Sequence, residues 1–318
     1  MLKCQFKAYI SNDQEKYIYG EENLTESLIS TKTEAFPDSL LSLMYMDVDA
    51  VAPLFQEIAD LLWSLTTTYD KKYAEAVYAK LDELAPQHVY FELQRLLVRW
   101  RVSQAVIFDD YTEDVLLRRE LVNMADYLRM VQKQLEELFS RVLDIDGDKN
   151  TVQEKMTAYY KSKGDKAFRF TPQPINFELA DEETFTEVLY PQSIADLVDY
   201  HTRECIKREV RMRVCKNCGK YFAISGRSTT EYCDHVFDSK GRTCKEIGAI
   251  ARWNRSKSDD DVFKEYRREY KKRFAWIKAG KIGSDVFYAW SEEARKKKAA
   301  CEAGDLSLDE FTQWLKQS

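Results

Sequence analysis

The chain has 318 residues, 44% hydrophobic and 32% charged, with only 10 Gly and 6 Pro; this predicts two or three globular units rich in long helices. The net charge of −6 is unevenly spread. Residues 1–200 carry 21 Lys and Arg against 36 Asp and Glu, and residues 201–318 carry 27 against 18, so the basic half suits either a polyanion or the acidic half itself.

The opening "MLKCQFKAYISNDQEK" lacks a basic segment followed by an apolar one, and nowhere do eighteen apolar residues run together. Neither a signal peptide nor a membrane span is expected. Seven cysteines, an odd number with four clustered, argue against a secreted disulfide framework and for a reducing cytoplasm.

In chain order, residues 1–170 read as an acidic, helical, bundle-like domain. Leu54, Ile58, Leu61, Leu62 and Leu65 recur at helical spacing, Pro53 suits a first turn, and Pro86 ends the pattern. A second stripe runs through Val115, Leu116, Leu121, Met124, Leu128, Val131, Leu135 and Leu138. "DIDGDKNTVQEK" (144–155) imitates a calcium loop, but Gly147 comes early and Lys155 stands where a bidentate Glu is needed, so an acidic turn is expected. Pro172 and Pro174 then interrupt helix, and 171–213 reads as a linker and lead-in helix, with His201 and Cys205 packed on the stripe of Ile194, Leu197 and Val198.

Residues 214–256 carry the most specific pattern, Cys215-x2-Cys218-x14-Cys233-x10-Cys244. Four thiolates complete a tetrahedral zinc shell, and Gly219 relieves a tight knuckle at the first pair. "KYFAIS" and "TTEYC" read as a short hairpin returning Cys233, and "TCKE" as a capping box that puts Cys244 in the first turn of a helix. Knuckle, hairpin and helix-borne ligand describe a treble-clef-like Cys4 finger. Four protein ligands leave no open position for a catalytic water, so zinc would be structural. His235 is the alternative to a sulfur, expected exposed in its loop.

"CKNCGKYF", "YCDH" and "GRTCKEIGA", with the basic helix that follows, resemble an uncharacterised family of bacterial proteins, a domain of unknown function found mainly in anaerobic Gram-positive bacteria. That resemblance runs from about Ser193 onward. The finger alone is distantly similar to the CGNR zinc fingers of bacterial transcription regulators, although the Asn-Arg part of that signature is absent after Cys244. The resemblance implies zinc and DNA, and it brings no established activity.

Residues 257–318 read as a basic helix and repeated helical hairpins. Phe263, Tyr266, Tyr270, Phe274 and Ile277 make one stripe of "SDDDVFKEYRREYKKRFAWIKAG", leaving basic residues on other faces. "AGKIGSDVFYAW" (279–290) and "AGDLSLDEFTQW" (303–314) align without gaps, with Gly280 and Gly304 as stops and Phe287/Trp290 and Phe311/Trp314 as docking pairs.

The expected function is that of a zinc-binding, nucleic-acid-binding regulator, with DNA or RNA contacted by Arg227, Arg242, Lys245, Arg252, Arg255, Arg267, Arg268, Lys271 and Lys272. The alternative is a protein-interaction or scaffold role in which the acidic half recognises a partner. No nucleophile motif, phosphate loop or dinucleotide fingerprint occurs, and an enzyme is not expected.

Overall fold

The computed structural model describes residues 3–22, 27–147, 149–250, 260–303 and 305–318. They form two compact units, Met1–Val214 with Lys220–Thr230, and Cys215–Gly219 with Glu231–Ser318.

The first unit opens with strands where helices were expected: β1 (Lys3–Ser11), β2 (Gln14–Glu22) and β3 (Ser27–Ala35) form an antiparallel meander. Phe6, Ala8 and Ile10 on β1 and Tyr17 and Tyr19 on β2 alternate into the core, the period of two that defines a half-buried strand. Asn12 and Asp13, at φ of 53° and 57°, supply the paired left-handed residues of a tight hairpin turn.

Among the described residues eight α-helices follow: α1 (Asp38–Met44), α2 (Val48–Thr68), α3 (Lys72–Leu84), α4 (Val89–Phe108), α5 (Glu113–Leu116), α6 (Arg118–Val122), α7 (Met124–Leu138) and α8 (Val152–Lys163). The stripe expected from Leu54 onward is present in α2, where Val51, Phe55, Ile58, Leu62 and Leu65 are buried. Pro53 is not at the start: Asp47 accepts from the N–H groups of Asp49 and Ala50 and begins the helix earlier. The break at Tyr69, at φ 58°, separates α2 from α3.

Residues 171–213, expected as linker and lead-in, are integral to this unit. β4 (Ile175–Leu179) and β5 (Phe185–Leu189) complete a sheet of order β3-β2-β1-β5-β4, and α9 (Ile194–Lys207) starts at a Ser193/Asp196 capping box. His201 and Cys205 are fully buried on α9, as expected from its stripe. β6 (Met212–Val214) and β7 (Tyr221–Ala223) form a separate two-stranded ladder. The acidic turn has a structural role. Asp144 accepts from Tyr221 Oη at 2.9 Å and Asp146 holds the Arg213 guanidinium through contacts of 2.6 and 2.7 Å.

The second unit contains α10, over 244–250, α11 (Asp261–Lys278), α12 (Ser284–Ala303) and α13 (Leu308–Gln317). The repeated aromatic pairs are its core: Phe287, Trp290 and Phe311 are buried with Ala294 and Leu315, and Trp314 packs against them. Ser307 and Glu310 form the expected capping box; Gly304 lies outside the described residues. Phe274 departs from the expected stripe, being 43% exposed, while Arg273 is buried and stacks on Trp290 at 4.6 Å. Among the described residues no helix is long and apolar enough to cross a membrane.

Candidate metal centre

The knuckle occupies the chain between β6 and β7. Gly219 takes φ 76°, open to a residue without Cβ, and its N–H donates to the Cys215 carbonyl at 2.9 Å, closing the turn that brings Cys215 and Cys218 together. Cys233 comes from a later segment. Its N–H donates to Cys215 Sγ at 3.4 Å, and its carbonyl accepts from Lys245 N–H at 2.9 Å in the first turn of α10.

Cys244 is the first residue of α10. The expected capping box precedes it: Thr243 N–H donates to Glu246 Oε2 at 2.7 Å and Glu246 N–H to Thr243 Oγ1 at 3.3 Å. The positive end of the helix dipole favours a thiolate at that position.

The strand pairing differs from the one expected. Tyr221–Ala223 is a strand, but its partner is β6, ahead of the knuckle, and 229–233 is not extended into a ladder. Arg213 accounts for this. Its Nη1 donates to the carbonyls of Ser228 and Thr230 at 2.7 and 2.9 Å, holding that stretch as a turn.

The four sulfurs all lie within 4.8 Å of one another, and Cys218 Sγ is 3.6 Å from Cys233 Sγ. A tetrahedral ion bound at about 2.3 Å from each sulfur requires sulfurs about 3.8 Å apart, so the cluster fits one four-coordinate metal ion. Cys215, Cys233 and Cys244 are at most 1% exposed, which suits a closed site. Burial works to raise the Cys215 thiol, but the N–H groups of Cys218, Cys233 and Asn217 outweigh it and bring it down to about 7. Burial raises the Cys233 and Cys244 thiols. Four thiolates this close repel one another, and a divalent cation is what makes them all ionise.

Two supporting residues were not singled out in the sequence. Asn217, buried between the two knuckle cysteines, donates from Nδ2 to Cys244 Sγ at 3.3 Å. Gly248 lies against the Tyr232 ring, leaving no room for a Cβ. His235 is exposed and outside the sulfur cluster, while its carbonyl accepts from Cys244 N–H at 3.0 Å.

The basic residues expected to meet nucleic acid are not equivalent. Arg242 pairs with Asp238 at 2.6 Å, Lys245 with Asp234 at 3.3 Å and Lys272 with Glu269 at 3.1 Å, and Arg268 pairs with Glu265. Arg227 is exposed and belongs to the first unit, and Arg252 and Arg255 lie outside the described residues. On α11, Arg267, Lys271, Phe274 and Lys278 recur at i, i+4, i+7 and i+11 as one exposed row. Among the described residues no carboxylate pairs with those three cations, and Lys278 Nζ lies 5.5 Å from the Phe274 ring centre. Beside that row, Phe263, Tyr266, Arg267, Tyr270 and Arg295 line a groove of about 270 Å³.

A second cluster of titratable groups lies in the core of the first unit. Tyr17 Oη is 2.7 Å from Glu15 Oε2, 2.9 Å from Ser39 Oγ and 3.1 Å from His201 Nε2, and Tyr90 Oη is 3.0 Å from Ser39 Oγ and 2.8 Å from His201 Nδ1. The Leu197 carbonyl, 2.8 Å from His201 Nδ1, can only accept, so Nδ1 carries the proton and Nε2 accepts from Tyr17. His88 is fixed likewise. Its Nε2 donates to the Ser39 carbonyl at 3.0 Å and its Nδ1 accepts from Tyr90 N–H at 3.1 Å. Burial pushes both histidines down to about 4 and Glu15 up to about 8. These side chains lie between 0% and 7% exposed, so the network joins β2, α1, α4 and α9.

Residues 168–318 match a family of unknown function, DUF6076. Comparison with curated proteins and with solved structures finds no match.

Proposed function

We propose that Cys215, Cys218, Cys233 and Cys244 hold one structural zinc ion in a treble-clef-like finger, and that the second unit binds nucleic acid through α11. The zinc reading rests on the sulfur cluster, whose spacing and all-thiolate donor set suit zinc in a closed site. The ion offsets half of the charge of the four thiolates and fixes the knuckle to the first turn of α10. Asn217 and the backbone N–H groups orient the sulfurs around it.

The nucleic-acid reading rests on the α11 row. Cations without carboxylate partners are free to neutralise phosphates, and Phe274 between them offers a face on which a base stacks. Regulation is the role that fits such a module. Arg242 and Lys245 of the finger already have acidic partners, whereas Arg267 and Lys271 on α11 have none among the described residues, which favours α11 as the contact surface.

The test is zinc content by atomic spectroscopy together with fluorescence anisotropy on labelled single- and double-stranded DNA and RNA. One zinc per chain is expected. Binding that neutralises roughly three phosphates of a single strand weakens about 20-fold between about 50 and about 200 mM salt, and Arg267→Glu with Lys271→Glu abolishes it. A zinc-loaded protein that binds neither nucleic acid at low salt would defeat the reading of α11 while leaving the zinc site intact.

A further inference from the structure

We infer that the chain forms a two-fold dimer by pairing β4 with β4 of a second copy, making one continuous sheet across the axis. Among the described residues the two outer strands of the sheet are β3 and β4, and they are built differently. β3 presents Ser30, Thr31, Lys32, Thr33 and Glu34, the polar and charged character that protects an edge from pairing. β4 reads Ile-Asn-Phe-Glu-Leu, with no Lys, no Pro and no bulge.

Three large apolar side chains are exposed at this edge, beside Asn176 and Glu187. Phe177, Leu179 and Phe185 are 69%, 57% and 61% exposed, and the Phe177 and Phe185 rings pack edge to face at 4.6 Å. Ile175 and Leu189, on the same face, are packed into the core of the first unit. The hairpin thus carries its core-type face beyond the core that covers its base.

The backbone register specifies the partner. Tyr190 N–H donates to the Pro174 carbonyl and Ala180 N–H to the Thr184 carbonyl, so the even-numbered residues of β4 bond to β5. By the alternation of an antiparallel ladder, Phe177 and Leu179 direct N–H and C=O outward.

An antiparallel copy centred on Phe177 aligns these outward groups, placing Phe177 opposite Phe177 and Leu179 opposite Ile175, whose carbonyl is the group it offers because its N–H already donates to the Gln173 carbonyl at 2.9 Å. Asn176 then faces Glu178. All apolar side chains fall on one face, an amide meets a carboxylate on the other, and no like charges oppose. Shifting the axis to Glu178 would set two carboxylates against each other, and shifting it to Asn176 would leave Leu179 with no strand residue opposite. Only the register centred on Phe177 pairs all five strand residues without either penalty. The occupant with this complementarity is β4 itself.

The experiment uses the full, zinc-loaded chain. Sedimentation velocity over a roughly hundredfold concentration range should show a monomer–dimer equilibrium, and hydrogen exchange at the Phe177 and Leu179 amides should slow as dimer accumulates. Phe177→Lys, which sets like charges on the axis, should leave a folded monomer, while Phe177→Tyr should still dimerise. The inference is overturned by a wild type that stays monomeric with fast exchange at both amides, the behaviour of an edge reserved for another protein. It is equally overturned if Phe177→Lys keeps the dimer, or if the two amides exchange equally fast in monomer and dimer, because the contact then lies elsewhere.

Discussion

Each unit encloses one dense cluster of titratable side chains, and the two clusters are built differently. In the first, Glu15, His88 and His201 are enclosed as neutral groups, each hydrogen-bonded to buried neighbours. In the second, four thiols crowd within 4.8 Å with Asn217 and the Cys233 N–H aimed at sulfur, an arrangement that gains strength only when the sulfurs are ionised. The difference is one of completeness. A network of neutral donors and acceptors needs no counterion, whereas four thiolates need a cation that the sequence does not encode.

The largest effect should therefore follow from metal removal. Structural zinc contributes roughly 10–16 kcal/mol to small zinc-dependent folds, so chelation, or Cys244→Ser, should abolish amide protection at Cys244 and Lys245. The helices of the first unit should persist. Mass-detected hydrogen exchange reads both units in one experiment, and retained protection in metal-depleted protein would remove the contrast. On the other side of the comparison, His201→Ala leaves the Tyr17 and Tyr90 hydroxyls short of a partner and opens a cavity. It should cost about 3 kcal/mol, read from urea unfolding, with zinc content unchanged.

How far the sequence revealed each region follows the range of the interactions that build it. The cysteine cluster was legible because its signals are local: Cys-x2-Cys-Gly for the knuckle, and Thr243 with Glu246 for the start of α10. Strand pairing in the finger was misread because the partner of Tyr221–Ala223 lies before the knuckle and Arg213 holds 228–230 as a turn. The tail core was legible through its repeat. The sheet of the first unit was hidden, although Phe6, Ala8, Ile10 and the Asn12-Asp13 turn carried a strand signal, because the longer helical stripes after Pro53 dominated the reading. The joining of β5 to β1, through Ala8 and Leu189, spans most of the unit and leaves no local trace. The buried network was half legible: the position of His201 on an apolar stripe indicated packing but gave no sign of Glu15 beside it.

That network also sets an expected pH dependence. Burial holds His88 and His201 at about 4 against an ordinary 6.5. The unfolded chain takes up their protons first, and stability is lost as pH falls from 6.5 toward 4. Glu15 acts the other way: burial raises it from 4.5 to about 8, so the folded state keeps a proton that the unfolded chain releases, and stability is lost as pH rises toward 8. Two histidines outweigh one glutamate below 6.5 and Glu15 acts alone above it. The first unit should be most stable near pH 6.5 and lose about 2 kcal/mol by pH 8. Glu15→Gln should flatten the alkaline arm and steepen the acid one in urea titrations of the zinc-loaded protein. An alkaline loss that survives Glu15→Gln would show that the network is not its source.

The smallest effect sharpens the comparison most, because it touches a polar group that serves the cation rather than a neutral partner. Asn217 donates to Cys244 Sγ from a buried position, and outer partners of this kind typically tune metal affinity 10–100-fold. Asn217→Ala should lower zinc affinity about tenfold, or about 1.4 kcal/mol, in competition with a chromogenic chelator, while leaving one ion per chain at saturation. Asn217→Asp should cost more, since a carboxylate replaces a donor beside a thiolate. If Asn217 merely filled space, the nearly isosteric Asp would be the milder substitution. The order of the two variants therefore separates orientation of the sulfur from packing of the knuckle.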